Sequence, residues 1–186
     1  MKLAALFSGG KDSTYSIYKA KQMGHDVRCL ITLFPKSPNS HLLHFPSIKL
    51  TKLQSETMNI PHLVTELETD ETNQEMKVLG ILLKKAKQDF QIDGLVHGGI
   101  SSEFQKKRFE NICKENDLNI LTPLWKMNPK EYMNDLIDSD FKFILTSVSS
   151  DGLDETWLGK IITISDLSKL SELSDKYGFN LNFEGG

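Results

Sequence analysis

The sequence predicts an α/β fold, a Rossmann-like doubly wound parallel sheet followed by a smaller C-terminal α/β lobe. Short apolar runs alternate with longer amphipathic stretches, the pattern of βαβ units around a parallel sheet. The first run, residues 3–7, is continuously apolar, as expected of a strand covered on both faces. A proline-containing stretch at residues 123–128 then separates a domain of residues 1–125 from a lobe of residues 126–186.

Taken in order, the strand at 3–7 leads to a helix from Asp12, with Tyr15, Tyr18 and Met23 inward and Gly24 at its end. A second strand covers 27–33. Residues 34–47 hold Pro35, Pro38 and Pro46 and read as a mobile loop, because proline fixes φ and lacks an amide donor. Leu50, Leu53 and Met58 mark a helix stopped by Asn59 and Pro61, and a third strand runs over 62–67. The polar stretch 68–72 feeds a long helix with Met76, Leu79, Leu82, Leu83, Ala86 and Phe90 inward. Residues 94–97 form a fourth strand, ended by Gly98 and Gly99. The helix over 102–115 is expected to bury Phe104, Phe109, Ile112 and Cys113, and a fifth strand covers 118–121. In the lobe, Asn128, Pro129 and Glu131 open a helix as cap, first-turn proline and capping-box acid. Phe141, Phe143 and Leu145 alternate as a strand, and Ser165 caps a last helix bearing Leu167, Leu170, Leu173 and Tyr177 up to Gly178.

Composition narrows the function. With 186 residues, 39% hydrophobic and 25% charged, the chain has an ordinary globular balance. Its apolar N-terminal run is too short for a membrane helix and lacks the h-region and cleavage site of a signal peptide, so a cytoplasmic protein is expected. Cys29 and Cys113 show no CxxC or Cys/His spacing, which argues against a disulfide scaffold or a structural zinc site. A net charge of -3 gives no global reason to expect nucleic-acid binding.

The chemistry begins at Ser8-Gly9-Gly10-Lys11-Asp12-Ser13, between a buried strand and an amphipathic helix. Glycines let the backbone approach an anion, and the amides and dipole of a helix N-terminus favour negative charge. Ser8 and Ser13 add hydroxyl donors, Lys11 adds a cation, and Asp12 suits a Mg²⁺ lying between it and a nucleotide. The spacing is not that of Walker A. This loop resembles the pyrophosphate-binding loop of the N-type ATP pyrophosphatases (adenine nucleotide alpha hydrolase-like), which release pyrophosphate and form adenylates.

A second constellation spans residues 97–108, HisGlyGlyIleSerSerGluPheGlnLysLysArg, directly after a strand at the sheet edge where doubly wound folds bind ligands. A purely structural reading also exists: Ser102 and Gln105 as a capping box, Glu103 and Lys107 as an i,i+4 pair. Together with SerGlyGlyLysAspSer at the start, PheProSerIleLysLeu at 45–50, ProLeuTrp at 123–125, TrpLeuGly at 157–159 and GluGlyGly at 184–186, however, this segment resembles the diphthine–ammonia ligases over nearly the whole chain. Two departures stand out: Phe183 replaces the glycine usual before GluGlyGly, and family members usually continue past that motif with acidic and threonine residues.

The resemblance implies the last step of diphthamide synthesis, in which ATP adenylates the diphthine carboxylate on translation elongation factor 2 and ammonium amidates it. Lys11, Asp12 and Glu103 are the expected catalytic residues, with Asp12 also the Mg²⁺ ligand. ATP is expected on Ser8, Gly9, Gly10, Lys11, Asp12 and Ser13, with Ile31, Gly98 and Gly99 completing its site. Substrate is expected at His44, Ser101, Ser102, Glu103, Gln105 and Arg108, and at Trp157 and Glu184. His97 and Trp125 are weaker candidates for orienting substrate and for stacking, since packing explains them as well. Partners are therefore the diphthine-bearing factor and ammonium, with neither membrane nor nucleic acid expected. The rivals are a tRNA-thiolating enzyme using the same adenylation, which would need reactive cysteines, and a non-catalytic ATP-binding regulator.

Overall fold

The computed structural model describes residues 1–37 and 48–183. Two compact units divide the chain, Met1–Trp125 and Lys126–Gly186. The first holds strands β1 (Lys2–Leu6), β2 (Asp26–Phe34), β3 (His62–Glu66), β4 (Gly94–Val96) and β5 (Asn119–Leu121). Its helices are α1 (Lys11–Gln22), α2 (Ile48–Met58), α3 (Thr72–Phe90) and α4 (Glu103–Glu115). All strand pairs are parallel, in the order β3-β2-β1-β4-β5. The order reverses between β1 and β4, so the loops leaving those two strands border the crevice where such sheets take ligands.

Two cores form because side chains alternate along each strand. Leu3, Ala5 and Phe7 of β1 and the residue after it pack with Ile17 and Ala20 of α1 on one face. Ala4, with Cys29, Ile31 and Leu33 of β2, packs on the other face against Leu79, Leu82, Leu83 and Ala86 of α3 and Phe109, Ile112 and Cys113 of α4. Leu79 and Leu83 are almost wholly enclosed, each contributing on the order of 2 kcal/mol by leaving water. Met76 and Phe90, expected inward, lie half-buried against this core.

Several expectations need correction. Met23 is exposed, because it is the C-cap of α1, past the last turn, where the chain leaves the helix toward Gly24. Phe104 is also exposed: it lies five residues before Phe109, about 140° around the helix, and Arg108 covers its ring at 3.6 Å. Leu50 and Leu53 of α2 face outward, while the polar residues Thr51 and Ser55 are buried. Of the expected loop, residues 38–47 lie outside the described residues, and Phe34 belongs to β2.

The second unit contains α5 (Pro129–Asp138), a short 3-10 turn at Glu155–Trp157 and α6 (Ile164–Tyr177). Asn128 caps α5 by accepting from the amides of Lys130 and Glu131. The strand expected over 141–145 is absent among the described residues. Phe143, Ile144 and Leu145 alternate in burial, yet only single bridges form, Ile144 antiparallel to Ile161 and Leu145 parallel to Leu158. Two bridges of opposite sense cannot propagate a ladder. The cap of α6 is Thr163, two residues before the expected Ser165. Thr163 accepts from the Asp166 amide, and Asp166 accepts from the Thr163 amide, a reciprocal box that Ser165 could not close. Lys160, then Thr163, hold the Asp166 carboxyl down to about 2. Tyr177 is exposed at the end of α6, and Gly178 follows with φ +78.

Candidate nucleotide site

The phosphate loop leaves β1 through Phe7 and turns at Gly9, whose φ of +77 is the left-handed conformation that a β-carbon disfavours. Gly10 is the N-cap of α1 and offers no side-chain cap, whereas Ser102, Asn128 and Thr163 cap α4, α5 and α6. The start of α1 is thus the uncapped, electropositive end of a helix facing the switch point. Ser13 is spent inside the loop: its hydroxyl accepts from the Ser8 amide at 3.3 Å and donates to the Gly10 carbonyl at 3.1 Å. In this arrangement Ser13 braces the turn. Lys11 is the first residue of α1, largely enclosed, with Nζ 2.8 Å from Asp12 Oδ1. Cation and carboxylate thus sit together at the helix mouth.

Below the loop, Thr32 donates from Oγ1 to the Phe7 carbonyl at 2.6 Å and accepts from His62 Nε2 at 2.6 Å. That chain of bonds anchors the strand end from which the loop springs. Burial lowers the pKa of His62.

The Gly98–Gly99 turn reaches the same place from β4. A β-carbon on Gly98 would lie 2.5 Å from the Asp12 carbonyl carbon, 2.6 Å from its oxygen and 2.7 Å from the Ser13 nitrogen. Only a glycine lets the two backbones meet this closely. Gly99 donates its amide to Nδ1 of the buried His97 at 3.1 Å, so Nδ1 carries no proton and the ring is the Nε2–H tautomer. The ring packs edge-on against Phe109. Burial, reinforced by Lys106, pushes its pKa down to about 4, which keeps it neutral at physiological pH. His97 is therefore a buttress for the turn rather than a group exposed to substrate.

Ser102 caps α4 by accepting from the Gln105 amide at 3.3 Å, and Glu103 occupies the first turn, where a carboxylate complements the helix dipole. Arg108 lies over Phe104, Lys106 over Trp125 at 4.4 Å, and an i,i+4 pair joins Lys106 to Glu110 at 3.7 Å. Ser101, Ser102, Glu103 and Gln105 follow the turn directly, so β4 delivers them to the edge where α1 begins. Ile31 is fully buried in the sheet core, and its carbonyl accepts from the Phe7 amide, so its side chain packs beneath the loop. Trp157 belongs to the second unit, beneath Lys160 at 4.4 Å. His44 and Glu184 lie outside the described residues.

One contributor escaped the sequence reading. Gln54 of α2 donates from Nε2 to the Gly9 carbonyl at 3.0 Å, and Thr51 and Gln54 flank that glycine. The available signal was the stripe Thr51, Gln54, Ser55 at helical spacing, which competes with the apolar pair Leu50 and Leu53.

The diphthamide synthase N-terminal domain matches residues 1–120, and the diphthamide synthase C-terminal domain matches residues 128–186. The chain belongs to the diphthamide synthase family. Its similarity to the diphthine–ammonia ligase of Mus musculus is 32% identity over 208 residues, covering 100% of this chain and 76% of that protein. The Homo sapiens diphthine–ammonia ligase is 31% identical over 209 residues, with the same coverage of 100% and 76%. A tRNA-specific 2-thiouridylase of Helicobacter pylori is 37% identical over only 70 residues, 38% of this chain and 20% of that protein. Diphthamide synthases are thus matched along the whole chain, and the thiouridylase along a fraction.

Proposed function

We propose that this diphthamide synthase family member is an ATP-dependent diphthine–ammonia ligase acting on translation elongation factor 2 in the cytoplasm. The observation that carries the reading is the close seating of the Gly98 turn on the first turn of α1, in a chain related to diphthine–ammonia ligases throughout. It joins the phosphate loop and the Ser101–Gln105 segment into one cleft edge.

In this mechanism a carboxylate oxygen of diphthine attacks the α phosphorus of ATP, and the bond to the β-bridging oxygen breaks to release pyrophosphate. Ammonia then attacks the acyl carbon, AMP leaves with the bond electrons, and the excess proton passes to solvent. Lys11 and the loop amides bind and stabilise the departing pyrophosphate, while the segment from Gly98 to Glu103 faces the acceptor. Positioning and charge neutralisation suffice, since no protein nucleophile is required.

The donor set fits a magnesium ion brought by the nucleotide. Among the described residues no group of three His, Cys, Asp or Glu side chains is arranged to hold a metal. Mg²⁺ commonly takes one or two carboxylates plus phosphate oxygens, and Asp12 is the carboxylate at the mouth of α1. Bound there, the ion would neutralise phosphate charge.

The product of ATP cleavage tests the proposal. Labelled ATP incubated with ammonium and elongation factor 2 carrying diphthine is expected to give AMP and pyrophosphate, seen by chromatography, only when the acceptor is present. ADP as the sole product would remove the mechanism, and nucleotide bound without turnover would favour a regulator.

Sulfur transfer is disfavoured by the cysteines themselves. Cys29 and Cys113 are buried in the core, and burial pushes both thiols up to about 12, so neither forms a nucleophilic thiolate near neutral pH. Replacing both with alanine is expected to leave turnover within about twofold, at a stability cost of about 1–2 kcal/mol from the lost packing. An inactive but folded double variant would redirect the assignment to thiolation.

A further inference from the structure

We infer that Gln54, on α2, is a positioning residue that sets the direction of the Gly9–Gly10 peptide in the phosphate loop. The inference rests on the reading of that loop as a pyrophosphate grip. Two side chains hold this peptide: Ser8 Oγ accepts from the Gly10 amide at 3.4 Å, a long and solvent-exposed bond, and the 3.0 Å bond from Gln54 to the Gly9 carbonyl is the firmer of the two. Gly9 itself occupies positive φ. In a trans peptide the carbonyl and the following N–H point in opposite directions. By donating from Nε2 to the Gly9 carbonyl at 3.0 Å, Gln54 draws that carbonyl toward α2 and turns the Gly10 amide away from it. A flipped peptide would present a carbonyl oxygen in place of the amide, repelling an anion.

Three further features fit a residue kept for this bond. Among the described residues nothing hydrogen-bonds the buried Oε1 atom of Gln54, a cost that an apolar side chain of the same size would avoid. The clamp is close: a β-carbon at Gly9 would lie 2.6 Å from Gln54 Oε1 and 3.0 Å from Thr51 Cγ2. And α2 turns Thr51 and Ser55 inward while Leu50 and Leu53 stay in solvent, the reverse of what core packing alone would select.

The test measures binding of inorganic pyrophosphate by calorimetry and ligand-free melting, using the full chain. Gln54→Leu is expected to weaken pyrophosphate binding about tenfold while melting at or above the wild-type temperature. A lowered melting temperature with unchanged affinity would assign Gln54 to structure alone and overturn the inference, as would unchanged affinity in a stable variant. Gln54→Glu supplies a second measurement should the leucine variant not fold. Its carboxylate cannot donate to Gly9, but its protonated form can, so the ratio of wild-type to variant affinity should narrow as pH falls toward about 4 to 5. A ratio independent of pH would count against the clamp. Absence of pyrophosphate binding in the wild-type chain would instead bring down the phosphate-loop reading itself.

Discussion

Gly98→Ala is expected to cripple nucleotide binding and to destabilise the first unit. The new methyl would stand 2.5–2.7 Å from three backbone atoms of Asp12 and Ser13, and backbone atoms in a first helical turn cannot rotate aside as a side-chain tip can. Relief requires the turn after β4 to retreat or the start of α1 to shift. Overpacking of this kind costs about 2 kcal/mol, and a chain of this length should lose about 6 °C in melting temperature. Because the turn seats directly on the first turn of α1, where the phosphate-loop amides lie, displacing either one should lower ATP affinity by more than tenfold. Gly10→Ala is the matched control. A β-carbon there meets only Ser8 Oγ, at 3.5 Å, so the ligand-free protein should melt normally while nucleotide binding suffers. Calorimetric titration with ATP and thermal melting of both variants separate the two effects. Full ATP affinity in a folded Gly98→Ala protein would mean that the turn does not shape the site.

Lys11→Ala is the second large effect. Removing the ammonium deletes the cation at the head of α1, and loss of one such preorganised contact is worth about 3 kcal/mol, on the order of a hundredfold in kcat/KM. Asp12 then loses its ion pair with Lys11 at 2.8 Å, and the net charge at the head of α1 becomes more negative, which deepens the loss. The lysine lies at the edge of the fold rather than in either core, and the ligand-free melting temperature should move little. Steady-state turnover with the diphthine-bearing factor is the measurement. A variant within about threefold of wild type would detach Lys11 from the chemistry.

Much of this molecule was legible in its residues, for reasons that differ by element. The continuous apolar run of β1 and the long apolar period of α3 announce themselves because burial on two faces, or along one wide stripe, leaves few alternatives. The strand-to-helix turn at Ser8–Ser13 was legible because its glycines suit a tight turn, and Gly9 indeed takes positive φ. Weak signals failed where a few apolar residues can lie on either side of an element. Leu50, Leu53 and Phe104 are hydrophobic yet exposed, and what covers or leaves a residue bare depends on elements distant in sequence. The extended run at 141–145 alternates like a strand, but a strand exists only with a neighbour to pair with. Thr163 displaced Ser165 as cap because the carboxylate of Asp166 closes a box only at that spacing.

The sequence by itself determined the order of strands and helices in the first unit, the phosphate loop and the family to which the chain is similar. All of these follow from local residue type and spacing. Only the tertiary structure decided that β1 and β4 are neighbours, that Gly98 touches the first turn of α1, that Ile31 is core, and that Gln54 grips Gly9 from α2. These are contacts between residues from tens of positions to more than 90 positions apart, set by strand pairing and by which face each helix buries. Such pairings emerge from the energy of the assembled sheet rather than from any stretch of the chain read alone.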